Sequence, residues 1–265
     1  MGAISAAREA TSAVIRNPLL MVVMLFAGIA QVPSLAVQFA NSGTILIVGG
    51  IISVVFLLLV PFFYGGVIGM AADALNGKTD LRKFLHEGRD NYLTIFGAYV
   101  LFFVAMVAFV IVLSLVGGIG GFAAVSFGQA GSGTGAGAAS LLAVIVVPLV
   151  MFVLFVAFVF FLQFFGQAIV LDDRGVIGGF KGSINAVRGN KLSTLGYMVV
   201  VMLFSMVFSV IGVLIGALPA LVGANDLLVV GAVLVVVLVV ATGVFGAFTA
   251  TYGVAFYRQI SAPME

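Results

Sequence analysis

The sequence contains no cysteine, a single histidine and very little charge. Each shortage removes a class of chemistry. Without cysteine there are no disulfides, no thiolate metal sites and no cysteine nucleophile. One histidine, His86, excludes a multi-histidine metal centre, so no cofactor or metal is expected. Charged residues make up 8% of the 265 positions, against roughly 25% in soluble domains. So few charges cannot cover a water-facing globule. With 63% hydrophobic residues and a mean hydropathy of +1.35, the implied solvent is lipid. The net charge of +2 and a pI near 9.0 do not indicate nucleic acid, because the basic residues are scattered through short polar breaks.

What is present is a series of apolar runs separated by polar islands. Residues Met1 to Arg16 read as an interfacial amphipathic helix, with Ile4, Ala7, Thr11, Val14 and Ile15 on its apolar side and Ser5, Arg8, Ser12 and Arg16 away from it. Asn17-Pro18 opens a first span, Pro18 to Asn41, with Pro33 as a kink. Ser34-Leu35-Ala36 also admits a signal-peptidase reading, but the segment before the apolar run is long and matches an internal repeat. The second span is Thr44 to Ala74. The loop Asn76 to Asn91 holds another amphipathic piece, with Leu81, Phe84 and Leu85 against Arg82, Lys83 and His86. The third span is Tyr92 to Val116, followed by a glycine-rich loop, Gly117 to Ala139. The fourth is Leu141 to Leu171. A third polar island, Asp172 to Leu195, places Phe180, Ile184 and Val187 on one helical face and Lys181, Asn185 and Arg188 on another. The fifth span is Leu195 to Val222, and the turn Gly223 to Asp226 leads to the sixth, Leu227 to Tyr257. Every span has the ~20 apolar residues needed to cross the hydrocarbon core.

The basic residues fix the expected topology. With six spans, all 11 Lys and Arg fall on one side, and the opposite side has only Asp226. Under the positive-inside rule both termini are cytoplasmic. Five of the tyrosines (Tyr64, Tyr92, Tyr197, Tyr252, Tyr257) sit towards that same side, as interfacial anchors.

Three units align within the single domain, 1–265, at 1–78, 79–178 and 179–265. Each opens with an amphipathic piece ending in arginine (Arg16-Asn-Pro-Leu, Arg89-Asp-Asn-Tyr-Leu, Arg188-Gly-Asn-Lys-Leu), and each second span closes on an aromatic-glycine pair (Tyr64-Gly65, Phe165-Gly166, Tyr252-Gly253). Asp73 and Asp173 follow at nearly the same offset in the first two. The expected fold is therefore all-α: a membrane bundle of six transmembrane helices in three parallel hairpins, each preceded by a short interfacial amphipathic helix.

The runs Ala168 to Val176, Phe180 to Ser183 and Val187 to Asn190 also resemble a family of uncharacterised archaeal, particularly haloarchaeal, multi-pass membrane proteins. That family is akin to the membrane domain attached to some glycerophosphodiester phosphodiesterases. Tyr64 to Gly77 and Tyr252 to Arg258 carry the resemblance further. It implies a membrane domain without the acidic and histidine motifs of the soluble phosphodiesterase, so no catalytic residue is carried over.

Candidate sites are few. Gly131-Ser-Gly-Thr-Gly-Ala looks like a dinucleotide fingerprint but lacks the strand-turn-helix setting, and reads as a flexible loop. Gly65/Gly69 and Gly212/Gly216 have the spacing of close helix packing, within the chain or between copies. Gln31, Gln38, Gln163 and Gln167, with Ser34, Ser205 and Ser209, would line a polar path if their stripes converge. Otherwise they make interhelical hydrogen bonds. Arg16, Arg89, Arg188 and Lys191, with Asp73 and Asp173, are candidates for headgroup contacts or for a ring of charges joining the hairpins. Asp172-Asp173 reads as a charged helix terminus, and His86 beside Glu87 as a solvated pair. No ionisable residue falls in the middle of a span, which disfavours an ion-coupled carrier. The expected function is a non-catalytic membrane scaffold or accessory component. A passive transporter or lipid-handling protein is the alternative. Expected partners are membrane lipids and a protein partner or a second copy.

The absence of cysteine makes the topology directly testable. Single substitutions Lys78→Cys and Lys181→Cys should react with a membrane-impermeant maleimide only in inside-out vesicles, and Asp226→Cys only in right-side-out ones. Labelling of all three from one side would refute six spans.

Overall fold

A computed structural model of the chain describes residues 2–30, 43–130, 134–221 and 227–261. Its elements among these residues are all helical: α1 (Gly2–Arg16), α2 (Pro18–Ile29), α3 (Gly43–Asn76), α4 (Leu81–Asp90), α5 (Tyr92–Ala130), α6 (Thr134–Leu162), α7 (Phe165–Leu171), α8 (Val176–Gly189), α9 (Lys191–Leu221) and α10 (Leu227–Ser261). Backbone groups in lipid have no water to bond, so apolar runs close their hydrogen bonds internally as helices. Five helical stretches are long and apolar enough to cross a membrane, and a sixth is added if α1 and α2, which meet at 91°, count as one span. Pro33, the Ser34-Leu35-Ala36 stretch, Gln31, Gln38 and the turn at Gly223 to Asp226 lie outside the described residues.

The chain divides into two compact units, 1–95 with 164–265, and 96–163. In the first, α4 docks on the long α3 and α1 on the long α10, while α8 docks on the short α7. Small residues make this possible. The buried face of α1 is an alanine stripe, Ala3, Ala6, Ala10 and Ala13, with Val14. On α3, a Cβ added to Gly66 would lie 2.6 Å from the Phe84 carbonyl oxygen, and one on Gly65 3.1 Å from that of Glu87. On α8, a Cβ on Gly179 would meet Ile169 Cγ1 at 2.6 Å. The α2–α10 contact is equally close, with Gly28 against the Val239 backbone and Gly243 against Leu25. Larger side chains fill what remains. Ala13, Val14, Leu20, Val23, Val67, Met70, Ala74 and Ala247 form one core joining α1, α2, α3 and α10. Ile68, Ala71, Ala72 and Val254 form a second, against Val170 and Leu171 of α7. Beside these, Tyr197 stacks on Tyr252 and on Phe256, each at 4.7 Å, with Phe164 5.1 Å away.

The second unit, 96–163, carries no charged residue. It comprises most of α5 together with α6, and Phe158 bridges them by contacting Phe102 at 5.7 Å and stacking on Phe109 at 5.2 Å.

Four sequence expectations are corrected. Most of the glycine-rich stretch Gly117 to Ala139 is helical: α5 runs to Ala130 and α6 starts at Thr134, with Gly131 to Gly133 outside the described residues. Glycine costs a helix about 1 kcal/mol per residue in water, but an apolar medium penalises unpaired backbone more. The fourth span is not one helix, because it breaks at Gln163–Phe164. The Phe164 N–H freed there donates to the buried Ser183 hydroxyl at 3.0 Å. In α1 the expected single apolar side is divided: Val14 packs inward with the alanines, while Ile4 and Ile15 point outward, 64% and 70% exposed. In α4 the expected apolar face is split: Phe84 turns in against Phe62 and Phe63, while Leu81 and Leu85 are exposed. In α8 the expected faces hold, with Phe180 and Ile184 half-buried, Val187 buried, and Lys181, Asn185 and Arg188 exposed.

Gly66→Ala should lower the stability of the detergent-solubilised protein by about 1–3 kcal/mol, since the clash is with backbone. Gly212→Ala, with nothing within 4 Å of the added carbon, should be neutral or raise it by up to about 1 kcal/mol. Paired thermal unfolding curves test the ordering.

Candidate functional site

The polar groups of the first unit gather where short helices turn into long ones. At the bend between α1 and α2, Asn17 is 5% exposed. Its Nδ2 donates to the Ala13 carbonyl at 2.9 Å, to Gly77 at 3.0 Å and to Ala74 at 3.4 Å. Its Oδ1 accepts from the Thr79 N–H at 3.1 Å. One side chain thus closes its own helix and also serves the end of α3, whose last carbonyls have no helical partner. Asn190 does the same at the α8–α9 junction. Its Nδ2 reaches Ala186 O at 3.3 Å and, near the end of α10, Ile260 O at 3.0 Å. Asn91, between α4 and α5, repeats the first half of the pattern, donating to Glu87 O at 3.2 Å, but its second bond goes to the Glu87 carboxylate at 3.0 Å. All three asparagines bond the carbonyl four residues back.

The second feature is the turn after α7. Asp173 holds a left-handed φ of 51°, and the Arg174 N–H bonds Ile169 O at 3.2 Å. This is a Schellman closure with aspartate where glycine is usual. Asp172 accepts from the Tyr257 hydroxyl at 2.8 Å and pairs with Arg174 Nε at 3.1 Å. It therefore ties α7 to α10. The two carboxylates do not act as a pair, since one is engaged and the other exposed.

The charge-ring candidates are placed as follows. Arg16, Arg89, Arg188 and Lys191 are exposed, as is Asp173, and Asp73 is half-buried. Among the described residues the ion pairs are Lys83–Glu87, His86–Asp90 and Arg174–Asp172, so no arginine of the ring meets Asp73 or Asp173. Arg16 Nε instead donates to the Ser12 carbonyl at 3.2 Å. Asp73 acts on Lys83. The Glu87 hydrogen bond raises the Lys83 pKa above its ordinary value, burial opposes this, and the charges of Glu87 and Asp73 raise it further. A raised lysine contributes stability that is complete below its unfolded pKa of about 10.4 and is lost only as pH rises through the folded value, so this pair is insensitive to pH near neutrality.

Of the polar-path candidates, Gln163, Gln167, Ser205 and Ser209 are among the described residues. The helix break separates Gln163, which donates to Phe160 O at 3.0 Å, from Gln167. Ser205 and Ser209 are exposed, and the Ser209 hydroxyl bonds Ser205 O at 2.8 Å. Gln167 is buried, and its carbonyl oxygen has no hydrogen-bond partner, like the buried Tyr252 hydroxyl. A Cβ on Gly253 would lie 3.1 Å from Gln167 Nε2 and 3.3 Å from the Tyr197 hydroxyl. Gly65 and Gly69 face α4 of the same chain, while Gly212 faces open space.

Sequence reasoning singled out the junction arginines and passed over the asparagines beside them. The signal was present: asparagine is the residue shared by Arg-Asn-Pro, Arg-Asp-Asn and Arg-Gly-Asn, and it alone both donates and accepts.

Long apolar helices with a polar layer made of helix-end closures define a helical multi-pass membrane protein. The chain belongs to the family described as Domain of unknown function (DUF7847), whose model matches residues 1–260. Searches of curated proteins and of solved structures gave no match.

Replacing Asn17 by Ala strands the Thr79 N–H and the Gly77 carbonyl, and should cost about 1–3 kcal/mol. Asn17→Asp should cost more, because it removes the donors and buries a charge. The expected order of damage in thermal unfolding is Asn17→Ala, then Asn190→Ala, then Asn91→Ala, whose bonds are all local.

Proposed function

We propose that this protein is a non-catalytic scaffold or accessory component of the cell membrane. It is built from six spans in three parallel hairpins, each preceded by a short amphipathic helix, with both termini cytoplasmic. The observation that carries this reading is the use made of its polar side chains. Where a membrane enzyme or carrier would aim polar groups at a substrate, Asn17, Asn190, Asp172 and Tyr257 are engaged with helix ends or with one another. The repeat is supported by the i−4 bond of each junction asparagine and by the docking order. Each short helix packs on the second span of the unit before it, and α1 packs on the last span, α10, which closes the cycle. The archaeal kinship and the likeness to the phosphodiesterase-linked membrane domain belong to the same proposal and rest on residues 168–190.

A passive transporter or lipid-handling protein is the second reading. It is favoured by the buried, unpartnered Gln167 carbonyl and Tyr252 hydroxyl. Native mass spectrometry of the protein gently solubilised from its own membrane separates the two. A stoichiometric protein partner, or a defined homo-oligomer, is the expected result. Single copies retaining a small molecule that also crosses proteoliposomes would replace the first reading with the second.

The cyclic repeat makes its own prediction. With Ser5 Oγ 3.3 Å from Gln259 Oε1, a permutant whose old ends are joined by a short linker and whose new ends open at Lys78 should insert, with a thermal midpoint lowered no further than by Asn17→Ala, whose partners Gly77 and Thr79 flank the cut. Failure to accumulate in the membrane would count against three equivalent units.

A further inference from the structure

We propose that the outward faces of α1, α4 and α8 form a collar that binds the surface of an anionic lipid leaflet. This rests on the multi-pass reading above. Aligned on the junction asparagines Asn17, Asn91 and Asn190, the three helices carry the same pattern. The residues three, four and seven positions earlier are buried or half-buried against a neighbouring helix: Val14, Ala13 and Ala10; Gly88, Glu87 and Phe84; Val187, Ala186 and Ser183. Nine positions earlier stands an exposed basic residue, Arg8, Arg82 or Lys181. A second follows seven or eight residues on, Arg16, Arg89 or Arg188, also exposed. That interval is two helical turns, about 11 Å, so both cations project from the outward side.

Aliphatic side chains stand among these cations. Ile15 is 70% exposed, Leu85 57% and Ile177 62%, with Ile4 and Leu81 beside them. A water-facing helix has no reason to present such a ridge. A helix lying at a membrane surface does: the aliphatic groups enter the acyl boundary and the long basic side chains reach up to the headgroups. The acids are distributed unevenly. α8 has none; in α1 Glu9 stands exposed beside Arg8; at α4 Glu87 pairs with Lys83, while Asp80 and Asp90 are exposed beside Arg82 and Arg89, with His86 offsetting Asp90 only when protonated, so α8 carries the strongest basic face and α4 the weakest. The pattern recurs on three helices docked on three different elements, α10, α3 and α7, which suits a continuous lipid surface better than a single protein partner.

The chain has no tryptophan, so one introduced residue reports alone. Leu85→Trp and Ile177→Trp, each in the full-length protein in vesicles, should emit in the blue. They should be quenched by brominated acyl chains and protected from aqueous iodide, with Phe103→Trp as the reference within a span. Removing two cations, Arg82→Gln with Arg89→Gln, should weaken retention of phosphatidylglycerol relative to phosphatidylcholine by up to roughly fivefold per charge at low salt, with the preference shrinking as salt is added. Water-like, iodide-quenched emission at positions 85 and 177 would overturn the collar, as would equal retention of the two lipids by the native chain. Either result leaves the scaffold reading standing if Phe103→Trp still reports from within lipid and the partner or oligomer is found. Loss of the Phe103→Trp lipid signal would sink the multi-pass reading itself.

Discussion

A helix end leaves carbonyls and N–H groups without helical partners, and this chain brings several such ends close together. The hydrogen bonds of Asn17 meet that constraint for α1 and α3 at once, and those of Asn190 for α8 and α10. Ser183 does the same for the break before Phe164. The rest of the first unit depends on these closures. They let a short helix turn sharply into a long one and lie flat against a neighbour, and that contact in turn requires glycine and alanine at the touching faces. Polar chemistry in this fold is thus concentrated at backbone termini, and the spans themselves are held by close packing and aromatic stacking.

Much of the architecture was legible because lipid simplifies the code. An apolar run long enough to span announces itself, and the polar islands between Leu75 and Tyr92 and between Leu171 and Leu195 were read as helices of their own. What was not legible is which face of each helix docks. Hydrophobic patterning groups Ile4 with Ile15 and Leu81 with Leu85 on apolar sides without saying whether protein or lipid covers them; these residues face outward, and Ala6, Ala10, Gly66 and Gly88 form the contact. Glycine misled in the opposite sense at Gly117 to Gly121, where four glycines suggested a loop and the backbone is helical. The candidate site was half visible. The arginine-asparagine junctions were found as motifs, but the charge drew notice while the amide does the bonding.

The two units differ in kind. The first contains every charged residue and every hydrogen bond between distant segments described above. The second, 96–163, is an uncharged helical pair joined through Phe158. A division of labour follows, with one unit supplying the polar layer and the other contributing apolar surface.

The contact between the ends of the chain has a consequence for biogenesis. α1 and α10 pack together across 254 residues of sequence, with Ser5 bonded to Gln259. At roughly 5–20 residues per second of synthesis, the partner surface on α10 follows that on α1 by on the order of 13–50 seconds. During that interval both complementary surfaces stand unpaired, one already delivered and the other not yet made. This contact therefore closes only once α10 has been made, and a chain cut short before α10 leaves that side of α1 and α2 uncovered. Such an unclosed intermediate offers a membrane quality-control protease a ready mark of incompleteness.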